Sequence, residues 1–359
     1  MQYEVDFMPV GESHGDAICM RHWEPNGLFA VTVIDGGYAD IGDSVVRHIA
    51  VHYGTSHINN LILTHADQDH AAGLVNIMNA CSVDFLYMNL PWLYLEQSLT
   101  LFHGNYGLPD LIDDYKEAHP YLVELERIAL RKGTRVLPIF QDTQIGPITV
   151  LAPTRERYIT LVPSLRGPDP VRAAPSLQGF GDFVREAAAN FADRYIEYWD
   201  VETLSDSPQP PTSASNETSV VQIAQFDHYR VLFTGDVGPV GLTEAAVRAY
   251  ERGILRQPDL FQIPHQGSRH NVTPRSLDLW LGARLETQGT LRGYATCSVG
   301  TNKPSHPRKK VTNALLRRGY ETQEVRASAM RFSNFERKGG LTRPDTIPFY
   351  GDTREIDDG

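Results

Sequence analysis

The chain has 359 residues, of which 41% are hydrophobic, with 29 glycines and 23 prolines; this is globular usage and excludes a disordered or fibrous protein. A net charge of −11 disfavours a protein that coats long duplex DNA through a basic surface, and no apolar run reaches the roughly 20 residues needed to span a bilayer. The start, Met1-Gln-Tyr-Glu-Val-Asp-Phe7, lacks the basic and apolar regions of a signal peptide, and Cys19, Cys81 and Cys297 are too widely spaced for a disulfide framework or zinc finger, so a cytoplasmic protein with buried thiols is expected.

In chain order, alternating and β-branched runs predict strands at 3–7, 17–21 and 29–34, a helix over 42–52, a strand at 61–64, a helix over 72–80 and a strand at 85–89. Residues 92–132 then read as an insertion rich in aromatics (Tyr94, Phe102, Tyr106, Tyr115, Tyr121), forming helices beside the first sheet and ending in one over 122–132. After a strand at 148–152 comes a second insertion, about 155–215. Within it, 182–199 places Phe183, Ala187, Phe191, Tyr195 and Trp199 at steps of four, an apolar stripe along a helix. Packing onto the domain is the plain reading of that stripe; a substrate-covering lid, a homodimer contact or a protein-partner surface is the alternative. The run Ser205-Asp-Ser-Pro-Gln-Pro-Pro-Thr-Ser-Ala-Ser215 is the most linker-like of the chain. Strands follow at 219–226, 230–234, 260–263 and 293–298, with helices over 241–252, 275–282 and 309–318. This pattern gives a mixed α/β fold and no internal repeat.

Chemistry concentrates in Asn59-Asn-Leu-Ile-Leu-Thr-His-Ala-Asp-Gln-Asp-His70, where an apolar strand runs into His65, Asp67, Asp69 and His70. A buried strand delivers its last residues to a rigid position, which a metal site needs. A polar turn capping the next helix would use one carboxylate and leave two histidines and a second carboxylate without a role. The motif resembles the His-x-His-x-Asp-His signature of the metallo-β-lactamase superfamily. With Asp67 replacing the second histidine, it is similar to the ComEC-like branch, named for the hydrolase domain of a DNA-uptake protein. Further blocks resemble that branch in order: Val10-Gly-Glu-Ser-His-Gly-Asp-Ala-Ile-Cys19, Val31-Thr-Val-Ile-Asp-Gly-Gly37, Asn216-Glu-Thr-Ser-Val-Val221, Val231-Leu-Phe-Thr-Gly-Asp236, Pro264-His-Gln-Gly-Ser268, Ser298-Val-Gly-Thr-Asn302 and Ser305-His-Pro307.

The resemblance implies a four-layer αββα sandwich over a single domain, 1–325, with 326–359 as a C-terminal extension. It implies two divalent ions, Zn or Mn, the first held by His65 and Asp67, the second by Asp69, His70 and His265, with Asp236 bridging. Three imidazoles and three carboxylates without a thiolate make a site hard enough for Mn²⁺ to rival Zn²⁺. Asp35 is expected to orient a ligand histidine, and Asn216 to bind the first metal or a substrate oxygen. Asp69 is the candidate to orient a metal-activated hydroxide, and His306, beside Lys303 as a phosphate clamp, the candidate proton donor; a solvated loop histidine is the bland reading of His306. Ser268 could offer a donor to a phosphate, or simply belong to a turn. The chain departs from the family at two places: the double histidine of the loop is His265-Gln266 here, and Glu12-Ser-His14 is inserted in the first hairpin.

The expected function is a binuclear metal-dependent phosphodiesterase or nuclease cleaving DNA or RNA. A phosphoesterase for a small compound, of cyclic-nucleotide or phosphocholine type, is the alternative, and a non-catalytic metal-binding partner module the alternative from another class. Lys303, Arg308, Lys309, Lys310, Arg317, Arg318, Arg326 and Arg331 cluster in one stretch, either a phosphate-facing patch or, for 311–319, a solvated helix face.

Overall fold

The first strand shows how the chain is sorted into layers. In Tyr3-Glu-Val-Asp-Phe7, Tyr3, Val5 and Phe7 point to one face and Glu4 and Asp6 to the other, yet all are buried. The apolar face meets a second sheet, where Tyr3 stacks on Phe226 at 4.5 Å. The acidic face is covered by Arg21, whose Nε donates to Glu4 at 2.7 Å, and by His48 and Tyr53, which both contact Asp6. A strand buried on both faces therefore carries its own counter-charges.

The computed structural model describes residues 1–102, 106–165, 195–206, 211–335 and 345–354. Two seven-stranded sheets face each other. The first contains β1 (Tyr3–Phe7), β2 (Ile18–Trp23), β3 (Phe29–Ile34), β4 (His57–Ile62), β5 (Ser82–Tyr87), β6 (Arg135–Leu137) and β14 (Met330–Ser333), in the order β14-β1-β2-β3-β4-β5-β6. The second contains β7 (Gln144–Ile145), β8 (Ile148–Ala152), β9 (Val221–Phe226), β10 (Tyr229–Phe233), β11 (Leu260–Gln262), β12 (Gly293–Ser298) and β13 (Tyr320–Val325), in the order β13-β12-β11-β10-β9-β8-β7. In each sheet an antiparallel meander gives way to parallel strands, at β3/β4 in the first and β10/β11 in the second. Those are the places where a strand end opens into a crevice.

One apolar core fills the space between the sheets, and two others join each sheet to its own helices. The helices Ala39–His48, Gln68–Ala80, Leu108–Ala118 and Pro120–Lys132 cover the first sheet; Pro239–Glu251, Pro274–Leu281 and Lys309–Arg317 cover the second. This is the four-layer αββα sandwich that the resemblance implies. Among the described residues no helix is long and apolar enough to cross a membrane, and the three cysteines are buried free thiols.

Several local expectations shift. The helix expected from residue 72 begins at Gln68, because its first turn is polar and buries His70 rather than an apolar side chain. The strands β6, β7, β13 and β14 are additional. The segment beyond 325 contributes β14, paired antiparallel with β1, and Asp352, bridged to Ile196. Phe183, Ala187 and Phe191 of the apolar stripe lie outside the described residues. At its other end the chain is not the expected helix: Ile196 is in that bridge and Trp199 in a turn, its Nε1 donating to the Leu285 carbonyl at 2.9 Å.

Residues 311–319 of the basic stretch are not a solvated helix face. Arg317 and Arg318 are fully buried, paired with Glu197 at 2.7 Å and Glu202 at 2.8 Å. Arg308 is buried, Arg331 reaches Glu4, and Arg326 pairs with Glu324.

Candidate metal centre

The site lies where the ends of β4 and β10 face each other. The chain after β4 enters the helix Gln68–Ala80 with Asp67 at its N-cap, but the Asp67 carboxylate makes no capping bond. It accepts instead from Ser215 Oγ at 2.5 Å and lies 3.6 Å from His65 Nε2. Capping therefore does not account for the cluster. Burial opposes ionisation of Asp67, but His65 and Ser215 outweigh it and hold the carboxyl well below the usual range.

Asp35, at the end of β3 with φ of 56°, fixes both histidines of this loop. It accepts from Thr64 N–H at 2.8 Å and Thr64 Oγ1 at 2.7 Å, and from His70 Nδ1 at 2.8 Å. Because Thr64 gives its proton to Asp35, its oxygen is left to accept from His65 Nδ1 at 3.1 Å. Both rings then carry hydrogen on Nδ1 and turn the Nε2 lone pair outward. The rings lie 4.2 Å apart between centroids.

From the other sheet Asp236, just past β10, places Oδ2 3.4 Å from His70 Nε2 and 3.6 Å from His265 Nε2. Asp69 Oδ2 lies 4.0 Å from His70 Nε2. Burial disfavours the charge on Asp236, but His265, His70 and His65 together hold its carboxyl far below the ordinary range. For His70, burial disfavours the cation, and Asp236, Asp35 and Asp69 overcome it and raise the pKa.

His265 belongs to the turn Pro264–Gly267, where His265 (φ 48°, ψ 52°) and Gln266 (φ 55°, ψ 21°) are consecutive left-handed residues. Its Nδ1 is 3.1 Å from Asn271 Oδ1, which can only accept, and 3.1 Å from Asn216 Nδ2. Asn271 in turn donates to the Asp236 carbonyl at 2.7 Å, tying the turn to the strand end. Asn216 and Asn271 both donate to Thr212 Oγ1, so the described end of the linker-like run is a wall of the site.

These groups fit a divalent cation. Ligand atoms of His65, His70 and Asp236 all lie within 4.8 Å of one another in a buried setting, and His65 Nε2 and His70 Nε2 are buried without a hydrogen-bond partner. The carboxylates that raise the His70 pKa favour a positive charge at its Nε2, and two imidazole nitrogens and one carboxylate oxygen converge there, which fits a bound divalent cation. Asp67, Asp69 and His265 surround this trio through the contacts above.

The remaining expected residues are His306, Ser268 and Lys303. His306 is half-buried; burial, then Arg308, His265, His14 and Lys303, push its pKa down to about 3. It is therefore neutral at pH 7, unlike a proton store. Ser268 is buried in the turn and accepts from the His270 N–H at 3.3 Å. Lys303 donates its backbone N–H to Gly300 and is partly exposed.

Three residues near the site were not named as members of it from the sequence, although Asp16 falls in the 10–19 block and Thr212 in the linker-like run. Asn271 and Thr212 are described above. Asp16, buried behind the site, accepts from Gln262 Nε2 at 2.9 Å, and the Gln262 oxygen caps the N–H of Thr234 at 2.8 Å. Burial pushes the Asp16 carboxyl up, His70 opposes, and Asp236, Asp35 and Asp69 add to the rise.

No family model and no curated protein matches this chain. Among solved structures it is similar to Zn²⁺-bound PqqB from Methylobacterium extorquens (12% identity, 91% of this chain and 99% of that one, TM-score 0.42). It is similar also to the metallo-β-lactamase fold protein YhfI from Bacillus subtilis (10% identity, 92% and 99%, TM-score 0.41) and to a diphosphatase of the PhnP family (10% identity, 93% and 98%, TM-score 0.39). At these distances the fold and the site stand on the geometry of this chain itself.

Proposed function

We propose that this protein is a binuclear metal-dependent phosphodiesterase. One observation carries the reading: two buried imidazoles, each anchored through Nδ1, turn Nε2 into a cluster of carboxylates that includes Asp236. His65 and Asp67 would hold one ion and Asp69, His70 and His265 the other, with Asp236 shared. When bound, divalent ions supply Lewis-acid polarisation of substrate oxygens and ease the deprotonation of water. The protein's own groups do the positioning. Asp69, with its side chain 20% exposed, would orient the attacking water. Asp35 keeps both imidazoles in register, and neutral His306 and Lys303 at the rim contact the departing side of the ester. Zn²⁺ and Mn²⁺ both suit a donor set of imidazoles and carboxylates.

Nucleic acid and a small phosphodiester share this chemistry. The burial of Arg308, Arg317 and Arg318 in the stretch that would have tracked a polyanion favours a small or short substrate over long duplex.

The test is to purify the protein without chelator, count bound metal, add Mn²⁺ or Zn²⁺, and assay bis-p-nitrophenyl phosphate, single-stranded DNA, duplex DNA and RNA beside Asp69→Ala and His70→Ala. Turnover of the small ester that vanishes in both variants is the expected result. Polymer cleavage with steep salt dependence would make it a nuclease. Bound metal with no turnover of any of the four would overturn the enzymatic reading in favour of a metal-stabilised partner module.

A further inference from the structure

The inserted hairpin turn sits against the metal centre. An ideal Cβ on Gly15 (φ 101°) would fall 1.9 Å from the Asp69 carbonyl oxygen, so only glycine allows the hairpin to press on the turn that carries Asp69 and His70. On its other side a Cβ on Gly300 would fall 1.8 Å from the Ser13 carbonyl oxygen, Thr301 N–H donates to Gly11 at 2.9 Å, and Asn302 Nδ2 donates to Glu12 at 3.1 Å. His14 is thus clamped between the ligand loop and the 300–302 loop.

Facing it is Gln266, the second of the two left-handed residues. Such a conformation is strained for a residue with a Cβ, and strain of this kind gathers where a side chain must be aimed. Gln266 is 2% exposed. Its Oε1 lies 3.3 Å from His14 Nδ1, while its Nε2 is buried without a partner. The amide oxygen can only accept, so His14 carries hydrogen on Nδ1 and Nε2 is its free nitrogen. If the amide is turned over, one buried polar atom of Gln266 still lacks a partner.

We infer that His14 and Gln266 form a substrate-binding pair that holds a phosphoryl oxygen beside the metal centre, an inference that rests on the phosphodiesterase reading. The amide hydrogens of Gln266 supply one contact, and the ring of His14, held by Gln266, supplies the other. The two departures from the family pattern are then one: the loop that carries glutamine in place of its second histidine meets a hairpin that brings a histidine in.

The experiment uses the metal-loaded full chain with His14→Ala and Gln266→Glu, the latter keeping an acceptor for His14 while replacing the unpaired donor by an acceptor. Bis-p-nitrophenyl phosphate kinetics, calorimetric binding of inorganic phosphate, metal content and thermal midpoint are measured for each. The expected result is a KM and a phosphate Kd raised about 10- to 100-fold in both variants, the loss of one hydrogen bond to a charged oxygen, with metal content and midpoint unchanged. Unchanged KM and Kd would overturn the pair while leaving the phosphodiesterase standing. Losses accompanied by metal release or a lowered midpoint in both variants would reassign it to clasping the loops, and overturn it. A wild-type protein that binds phosphate through His14 without turning over the ester would keep the pair and sink the phosphodiesterase reading; one that neither binds nor turns over would sink both.

Discussion

The two halves of the metal centre are built differently. In the half from the first sheet, the side chains of His65 and His70 are 0% exposed and share one anchor, Asp35, through Thr64 and directly. In the half from the second sheet, His265 is 36% exposed on a left-handed turn and is steadied by asparagines. A buried, carboxylate-anchored pair has one orientation open to it and sets where a cation sits. A partly exposed imidazole on a left-handed turn is open to solvent and tolerates water in place of a lost partner. The first half is read as the fixed point and the second as the working edge.

If so, the largest loss falls on the buried half. His70→Ala should lower turnover by several orders of magnitude and release metal, since it removes a ligand and leaves the carboxylates of Asp35 and Asp236 facing one another without it; elemental analysis and bis-p-nitrophenyl phosphate kinetics check both. Retained metal with near-normal turnover would place the centre elsewhere. Asp35→Asn comes next. It keeps the shape but breaks the acceptor pattern that sets both tautomers, and such changes cost about 10- to 100-fold in metal affinity or activity. A chelator titration of wild type and variant reads the affinity directly.

Asn271→Ala sharpens the contrast from the other side. It removes the acceptor of His265 Nδ1 and the donor to the Asp236 carbonyl. Because the His265 ring is partly wet, water can replace the first contact, so a loss of about tenfold is expected, at the low end of the range for groups that support ligands. A loss as large as that of Asp35→Asn would erase the distinction between the halves.

What the sequence discloses follows the same division. His65, Asp67, Asp69 and His70 fall within six positions after an apolar strand, and local periodicity with ligand-type residues is enough to see them. The supports are not local. Ser215 reaches Asp67 across 148 residues and Gln262 reaches Asp16 across 246, with no pattern to announce either. Arg317 and Arg318 read as surface cations because their partners Glu197 and Glu202 are 120 and 116 residues away. The strand β13, Tyr-Glu-Thr-Gln-Glu-Val, escaped because its buried face includes Thr322, which hides the apolar alternation. The sandwich itself was legible through the family resemblance that the ordered blocks carry, since periodicity alone gives only a mixed α/β fold.

The smallest effect concerns what lies outside the centre. A polymer held along a basic groove loses affinity steeply with salt, roughly as the number of phosphates neutralised, at about 0.7–0.9 log units per contact for each tenfold rise in salt. Here Arg317, Arg318, Arg326 and Arg331 of the 303–331 stretch are paired with Glu197, Glu202, Asp278, Glu324 and Glu4, and on the proposed reading recognition is left to the centre and its rim. With one phosphoryl group engaged, raising salt from about 50 to 200 mM should raise KM for bis-p-nitrophenyl phosphate by no more than about three- to fourfold. If short single-stranded DNA is also cleaved, its KM should show the same shallow slope, because one phosphate is engaged at a time. A slope equivalent to several contacts would show that the working edge extends beyond the turn of His265 and the hairpin of His14 onto a surface that binds neighbouring phosphates, and the small-substrate reading would give way to a nuclease.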